Sequence, residues 1–104
     1  MSVSTIFISG PMSGLADYGR ENFAKAEAML RSRGYAVLNP AVLPTDLPET
    51  AYMPICLAML SQADAVYVLD GWEQHSGCLI EVAFAERQGL PIIKSFTEIQ
   101  KESL

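Results

Sequence analysis

The chain has 104 residues, of which 50% are hydrophobic and 18% charged, and its formal net charge is −5 at pH 7. This composition excludes a disordered chain, and the length predicts one compact domain over residues 1–104. The seven Lys and Arg residues are scattered rather than clustered, which argues against a nucleic-acid polymer as partner.

The apolar residues are spread along the chain and never reach the roughly 20 consecutive positions of a membrane span. The opening "MSVSTIFISG" lacks the basic flank and long apolar core of a secretory signal. We therefore expect a cytoplasmic protein that does not bind membranes. Cys56 and Cys78 lie in apolar surroundings and are predicted to be free buried thiols. Together with His75 they are too few for a zinc site, so no metal is expected.

The first three predicted elements are a strand, a helix and a second strand. "STIFIS" (4–9) is a short apolar run rich in β-branched and aromatic residues, which predicts a buried strand ending in the loop "GPMSG". From Tyr18 to Gly34 the apolar spacing follows a period of 3.6, which predicts a helix stopped by Gly34. "YAVLNP" (35–40) predicts a second strand that Pro40 ends.

A loop and a second helix follow. "AVLPTDLPET" (41–50) carries two prolines and is typical of a loop, and "AYMPICLAMLSQA" (51–63) has helical spacing. This start places Pro54 in the first turn, where proline is tolerated. "DAVYVLD" (64–70) then predicts a third apolar strand.

The last predicted elements are a helix over "SGCLIEVAFAERQG" (76–89) and a strand over "LPIIKSF" (90–96), while the tail (97–104) fits either a short helix or a frayed end. Apolar strands alternating with helices indicate a parallel sheet covered on both sides. We predict an α/β, flavodoxin-like or Rossmann-like three-layer sandwich with four to five strands. Ligands in such sheets bind beyond the carboxyl ends of the strands. Four segments occupy those ends: "SGPMSG", "NP" with Asn39, "DGWEQHSG" and "KSF".

The loop after the first strand is suited to an anionic or sugar-like ligand. Its glycines permit close approach of backbone, Ser9 and Ser13 supply hydroxyl donors, and the loop leads toward a helix N-terminus. The segment matches neither GxGxxG, nor the Walker A loop, nor GxSxG. A turn that merely ends a strand remains an alternative. The candidate contacts are Ser9, Gly10, Pro11, Met12, Ser13 and Gly14.

Glu81 is the most informative single residue, because it is the one carboxylate in the apolar stretch from Leu79 to Ala85. If Cys78, Val82 and Ala85 pack on the sheet, Glu81 points toward the strand ends, and the nearby helix N-terminus is expected to favour its ionised form. An ionised, positioned carboxylate can attack or stabilise an oxocarbenium-like sugar centre. The alternative is a solvent-facing glutamate that complements the helix dipole.

The turn before this helix adds further candidates. Asp70 and Glu73 are carboxylates that could accompany Glu81, since glycosidic cleavage uses a pair of acids, although Asp70 could equally cap the turn. Trp72 fits either stacking on a flat base or covering the core edge. His75 is the only histidine and fits a solvated loop position better than a Ser-His-Asp arrangement. The predicted substrate contacts here are Gly71, Trp72, His75, Ser76 and Gly77.

Four segments taken together, "FISGPMSG", "GY.V.NP", "DAVYVLDGWE" and "SGCLIEVAFAERQGLPI", resemble the nucleoside 2-deoxyribosyltransferase-like superfamily, and more narrowly its small DUF4406 group, which occurs often in phages and prophages. The resemblance spans roughly residues 5 to 94. It implies an N-glycosidase or deoxyribosyltransferase that acts on nucleosides or nucleoside 5′-monophosphates without a cofactor. It also implies Glu81 as nucleophile, Asp70 near the base, and a homo-oligomer whose subunits share the pocket.

Three departures from the superfamily pattern accompany this resemblance. The first-strand tyrosine that supports the nucleophile is replaced by Phe7 or Ile8, so Ser9, Tyr18 or Tyr52 would have to supply the hydroxyl. His75 stands where the transferases carry an acid, and Cys56 stands where the DUF4406 group is expected to have Asp. These differences keep open a second hypothesis, a non-catalytic module that sequesters a nucleotide, and a third, an interaction protein with a vestigial pocket.

Overall fold

A four-stranded, all-parallel sheet forms the centre of the computed structural model, which describes residues 3–94. The strand order is β2-β1-β3-β4, so the chain runs outward from β1 to β2 and then crosses to β3 on the other side. This is the order of the first four strands of a flavodoxin-like sheet, as predicted. The strands are β1 (Thr5–Ser9), β2 (Ala36–Leu38), β3 (Ala65–Val68) and β4 (Ile92–Ile93).

Helices cover both faces of this sheet, which makes the predicted three layers. They are α1 (Arg20–Ser32), α2 (Glu49–Leu60) and α3 (Ser76–Arg87). Helix α1 packs on one face, here called the α1 face, and α2 and α3 pack on the other, here called the α2/α3 face. Among residues 3–94, no helix is both long and apolar enough to cross a membrane.

Alternation along β1 divides the core between the two faces. Ile6 and Ile8 join the cluster under α1, whereas Phe7 joins the cluster under α2 and α3. Because side chains alternate along a strand, Ser9 at the end of β1 points to the same face as Phe7. All four of these side chains are fully buried. The one hydroxyl in this run is therefore directed toward helix α3.

The predicted helix starts need two corrections. Helix α1 begins at Arg20 instead of Tyr18, because Asp17 and Tyr18 have left-handed backbone (φ 51° and 55°) that no α-helix accepts. Helix α2 begins at Glu49 instead of residue 51, so Pro54 lies inside the helix and not in its first turn. A proline there has no N–H to donate to the preceding turn.

The element ends also differ from the prediction by a few residues. The strands are shorter than the apolar runs that predicted them, with β4 confined to two residues. A 3-10 turn over Pro40–Val42 begins the segment predicted as a loop. The predicted tail (97–104) and residues 95–96 of the "KSF" segment lie outside the described residues.

Candidate functional site

Glu81 lies in the second turn of α3, on the side of the helix that packs against the sheet. Its buried neighbours on α3 are Cys78, Val82 and Ala85. Glu81 itself is only 7% exposed, which rules out the solvent-facing alternative. An acid this deeply buried is costly unless its oxygens have hydrogen-bond partners, so the groups around it determine what it can do.

Ser9 supplies the closest of those partners. Its hydroxyl donates a hydrogen bond of 2.6 Å to Oε1 of Glu81, and both residues are buried. That length is typical of an O–H donor to a carboxylate. The bond joins the carboxyl end of β1 to α3, so the carboxylate sits at the sheet edge where parallel α/β folds bind ligands. Among the three candidate hydroxyls, Ser9 is therefore the one the structure brings to Glu81.

Two thiols flank the same carboxyl group. The Cys56 thiol on α2 interacts with Glu81, and the Cys78 thiol on α3 interacts with Ser9. Both cysteines are free and buried, as predicted. Burial, the negative charge of Glu81 and the hydrogen bond to it raise the pKa of the Cys56 thiol to about 12. Burial also raises the pKa of Cys78. Both thiols are therefore protonated and are not reactive thiolates.

The pKa of Glu81 is raised above the ordinary carboxyl value. Burial is the largest cause, and the hydrogen bonds from Ser9 and Cys56 partly offset it by favouring the charged form. The sequence predicted that the helix N-terminus would favour the ionised form of Glu81. That prediction was wrong, because the effect of burial on the pKa is larger. The field of a helix end acts mainly within the first turn, and Glu81 lies in the second, where desolvation outweighs it.

The loop after β1 approaches the loop after β3 very closely. A Cβ on Gly10 would lie 2.7–2.8 Å from the Leu69 side chain, and a Cβ on Gly71 would lie 3.3 Å from Pro11. The backbone N–H of Leu69 also donates to the Ser9 carbonyl at 2.9 Å. The glycine at position 10 is thus required by packing between the two loops.

The remainder of this loop lies farther along the edge. Met12 packs against the α1-face cluster, while Ser13 and Gly14 are exposed. The loop leads toward the N-terminus of α1, and the 3-10 turn Ala16–Gly19 lies between Gly14 and the start of that helix. Of the six candidate residues in the segment, Ser9 alone bonds to Glu81.

The loop after β3 sends its candidate side chains in two directions. Trp72 is half-buried and packs against the α2/α3-face cluster, the side on which Glu81 lies. Asp70 is exposed and lines a cleft beside α1, together with Pro11 and Leu69. The sequence alone had placed Asp70 and Trp72 in one turn without separating their faces. Their use as substrate contacts stays a prediction.

Helix α3 starts at Ser76, with His75 as the residue before it in extended backbone. No side chain caps this helix end. His75 is half-buried and Ser76 is exposed. Both lie at the start of the helix that carries Glu81. Gly77 faces α2, where its closest neighbour outside α3 is Met53, 3.6 Å from an added Cβ. The free N–H groups of this turn could therefore meet a ligand.

Asn39, predicted as a substrate contact, is engaged within the fold. Its side-chain oxygen accepts from the N–H of Ala41 at 2.8 Å, and its amide donates to Glu27 at 2.9 Å. The hydrogen bonds from Asn39 and Arg31 lower the pKa of Glu27. Both ends of the buried amide therefore have partners within the fold, and the use of Asn39 as a substrate contact stays a prediction.

The two tyrosines considered as replacements for a first-strand hydroxyl are placed differently. Tyr52 donates its hydroxyl hydrogen to the carbonyl of Pro44 and accepts from the N–H of Leu47, which ties the loop before α2 to the helix. Tyr18 is 51% exposed, in the strained turn before α1. Residues 3–94 contain no group of three or more His, Cys, Asp or Glu side chains that could hold a metal ion.

Sequence reasoning missed one contact of Glu81 and most of the cleft beside α1. Cys56 appeared only as a departure from a family pattern, because 25 residues separate it from Glu81 and no periodicity links α2 to α3. The sequence pattern did not distinguish the cleft residues of α1 from ordinary helix surface. These residues include Asn22, Lys25 and Met29. Tyr67 also lines the cleft. Its place could have been predicted in part, because strand alternation puts Tyr67 on the same face as Leu69.

The family model described as "Domain of unknown function (DUF4406)" matches residues 4–94. The chain belongs to this family. A solved structure, the 2-deoxyribosyltransferase from Leishmania mexicana, is similar with a TM-score of 0.70 and 19% sequence identity. The match covers 86% of this chain but 61% of that one, so the chain spans about three-fifths of the transferase's length.

That structural similarity shows that the DUF4406 chain has the α/β fold of the transferase. A search of curated proteins found no significant relative. The substrate and activity of the DUF4406 chain therefore have to be argued from its own site.

Proposed function

We propose that this DUF4406 protein cleaves the N-glycosidic bond of a nucleoside or nucleoside 5′-monophosphate, with Glu81 as the nucleophile. The observation that carries the proposal is the buried Glu81 carboxyl group, hydrogen-bonded by Ser9 at the carboxyl edge of a parallel sheet. A buried acid oriented by a hydroxyl at the usual ligand-binding edge is the arrangement that a positioned nucleophile needs. The family resemblance and the shared transferase fold support the same assignment.

The proposed reaction has two displacement steps. An oxygen of ionised Glu81 attacks the anomeric carbon, the bond from that carbon to the base breaks, and its electron pair leaves with the base nitrogen. Asp70 or His75 assists by orienting the base or by supplying the proton it takes up. Water, giving hydrolysis, or a second base, giving transfer, then attacks the anomeric carbon and gives its proton to the group that protonated the leaving base. The bond from that carbon to the Glu81 oxygen breaks, and the carboxylate is freed. Neither step uses a metal or an organic cofactor.

The sugar side of the substrate is proposed to lie against the "SGPMSG" loop and the first turn of α3. The unsatisfied N–H groups at Ser76 and Gly77 attract an anion such as a 5′-phosphate. Trp72, half-buried on the Glu81 side of the sheet, would shield the glycosyl intermediate from water.

Two further proposals concern assembly and location. Leu79 and Ile80 on the outer side of α3 are 47% and 49% exposed, which supports a homo-oligomer that uses this helix and shares pockets between subunits. Sedimentation velocity of wild type and Ile80→Glu tests this, since a shared interface predicts dissociation of the variant. The free thiols of Cys56 and Cys78 support a reducing, cytoplasmic location.

A non-catalytic module that sequesters a nucleotide, for instance in a phage, is the second candidate. The raised pKa of Glu81 favours it, because a protonated carboxyl group binds ligands by hydrogen bonds but does not attack carbon. Calorimetry with a nucleotide library, followed by chromatography of the recovered ligand, separates the candidates. Intact ligand supports binding alone, and altered ligand supports turnover.

The test of the proposed function is release of free base from a panel of nucleosides and 5′-monophosphates, measured for wild type, Glu81→Ala and Glu81→Gln. Glu86→Gln is the matched control, since Glu86 is exposed on the same helix. We expect release by wild type and the control, and loss of at least 1000-fold in both Glu81 variants, of the order found when a nucleophile is removed. No release by wild type, or equal release by the Glu81 variants, contradicts the proposal.

A further inference from the structure

A short left-handed turn separates the "SGPMSG" loop from helix α1. Asp17, Tyr18 and Gly19 all have left-handed backbone, with φ values of 51°, 55° and 72°. Asp17 and Tyr18 are the only non-glycine residues with positive φ among residues 3–94. L-residues visit this region singly and at a conformational cost, so two in succession are strained. Such strain persists only where surrounding contacts impose it, and it occurs most often at ligand-binding and switch segments.

The contacts that impose this conformation are weak. Nη1 of Arg20 pairs with Oδ1 of Asp17 at 3.3 Å, and the Tyr18 N–H donates to the Leu15 carbonyl at 3.0 Å. The side chains of Arg20 and Asp17 are 36% and 72% exposed, and exposed ion pairs contribute little to stability. Leu15 and Tyr18 are themselves 41% and 51% exposed, so their packing does not hold the turn firmly. Weak contacts therefore oppose the backbone strain, which leaves a second conformation close in free energy.

Glycines bracket the segment on both sides. Gly14 has a φ of 81°, and a Cβ added to it would meet no atom within 4 Å beyond its chain neighbours. Gly19 lies so close to the Pro11 carbonyl oxygen, 2.7 Å from an added Cβ, that only glycine fits. Gly14 can therefore absorb a large backbone change, whereas Gly19 anchors the far end on the loop after β1. We call residues 15–18, between these two glycines, the strap.

The strap lies at the carboxyl edge of the sheet, between the loops that follow β1 and β2. Nε of Arg20 donates to the Ala41 carbonyl at 3.0 Å, in the 3-10 turn after β2. Leu15 lines the cleft beside α1 together with Pro11 and Asp70, which belong to the loops after β1 and β3. Ligands of parallel α/β sheets bind at this edge. The exposed apolar side chains of the strap therefore border the place where a ligand would lie.

We propose that the strap is a lid that closes over a ligand at the carboxyl edge of the sheet. On closure Asp17 and Tyr18 leave the left-handed region, the ion pair between Asp17 and Arg20 opens, and Leu15 and Tyr18 move from solvent onto the ligand. The closed state is favoured by release of backbone strain and by burial of apolar surface, and the ligand contacts the strap side chains in that state alone. The ligand is taken to be that of the proposed function, so the inference rests on that function for the ligand but not for the motion.

The motion is tested on the ligand-free full chain by ¹⁵N relaxation dispersion, which detects exchange on the microsecond-to-millisecond timescale. We expect exchange at the amides of residues 15–19 and none in the turn Trp72–Gln74, which has no left-handed non-glycine residue. Tyr18→Gly should lower the population of the minor conformer by about threefold or more, because glycine accepts left-handed backbone, whereas Tyr18→Ala should not lower it. Asp17→Ala should raise that population by about threefold or more, because the ion pair is lost and the strain remains. Both side chains are exposed, so these substitutions leave the core intact.

Closure over a ligand is tested with the four 2′-deoxynucleoside 5′-monophosphates of adenine, guanine, cytosine and thymine. They are added to Glu81→Gln, so that they are not consumed. We expect at least one of them to move the amides of residues 15–19 toward the chemical shifts of the minor conformer. Adding Tyr18→Ala to the same protein should weaken the binding of that nucleotide by about threefold or more, because the ring no longer contacts it.

Two results overturn the inference. One is a strap with no exchange, or with exchange that Tyr18→Gly leaves unchanged. The other is a strap whose amides none of the four nucleotides moves. Movement of the strap without base release from any nucleoside supports this inference and contradicts the proposed function. Base release by a protein whose strap neither exchanges nor moves does the reverse.

Discussion

At the scale of single residues, the account depends on how the protein holds the carboxyl group of Glu81. The isolated acid among apolar residues pointed from the sequence to a carboxylate at the sheet edge, but it left a solvent-facing Glu81 as an alternative. The sequence did not predict that burial would dominate its pKa, because its partners Ser9 and Cys56 come from other elements. Local spacing carries no information about such long-range contacts.

The first prediction concerns stability as a function of pH. The raised pKa means that the folded protein binds more protons than the unfolded chain above the ordinary carboxyl pKa. Wild-type stability therefore falls as pH rises from that value through the folded pKa. Glu81→Gln removes this loss, so its stability relative to wild type should increase from pH 4 to pH 7 in urea unfolding. A difference that is constant with pH would contradict the assignment.

The second prediction concerns the Ser9 hydroxyl. Ser9→Ala removes the donor that favours the ionised carboxylate, a hydrogen bond to a charged group worth about 1.5–3 kcal/mol. If Glu81 is the nucleophile, kcat/KM for base release should fall by about 10- to 100-fold, and the acid limb of the pH profile should move to higher pH. Ser61→Ala, at the exposed C-terminal end of α2, is the control. An unchanged acid limb in Ser9→Ala would show that Ser9 does not position Glu81.

At the scale of elements, the edge of the sheet is shaped by loops whose conformations depend on glycine. The sequence predicted the loops and their position at the strand ends from the glycines and prolines alone. It did not predict that Asp17 and Tyr18 would adopt left-handed backbone, and for this reason the start of α1 was placed two residues early. Non-glycine residues with positive φ store local strain that the surrounding contacts must stabilise.

The third prediction tests the packing between the loops after β1 and β3. Gly10→Ala would place a Cβ within 2.8 Å of three Leu69 atoms, so overpacking should reduce the free energy of unfolding by about 1–3 kcal/mol. Gly77→Ala is the matched substitution, since its Cβ meets an ordinary contact of 3.6 Å in a helix. It should leave the protein equally or more stable, by up to about 1 kcal/mol. Equal destabilisation in the two variants would contradict the inferred packing.

At the scale of the whole molecule, the sequence predicted the architecture well. Apolar strands such as "TIFIS" and "AVYV" alternate with helices, and this pattern requires a parallel sheet covered on both faces. The strand number was predicted as four to five, and the described residues contain four. The cleft on the α1 face could not be predicted, because it arises from the distance between α1 and the end of β3, which no local pattern encodes.

The fourth prediction tests whether both faces of the sheet carry a packed core. Leu30 of α1 and Leu60 of α2 are each fully buried, so Leu30→Ala and Leu60→Ala should each cost about 2–5 kcal/mol in urea unfolding. Val42→Ala, at a side chain that is 74% exposed in the turn after β2, should change stability by at most about 0.5 kcal/mol. A cost below about 1 kcal/mol for either buried leucine would show that its layer is not packed as described.

The most direct test of the central claim is to trap the glycosyl intermediate on Glu81. A nucleoside with fluorine at the sugar 2-position forms a glycosyl-enzyme that breaks down slowly, because the fluorine destabilises the oxocarbenium-like transition state. Intact-protein mass spectrometry should show addition of one fluorosugar. Peptide mapping should locate it on the segment containing Glu81, and Glu81→Gln should show none. Release of base without an adduct, or an adduct on another residue, would contradict the account.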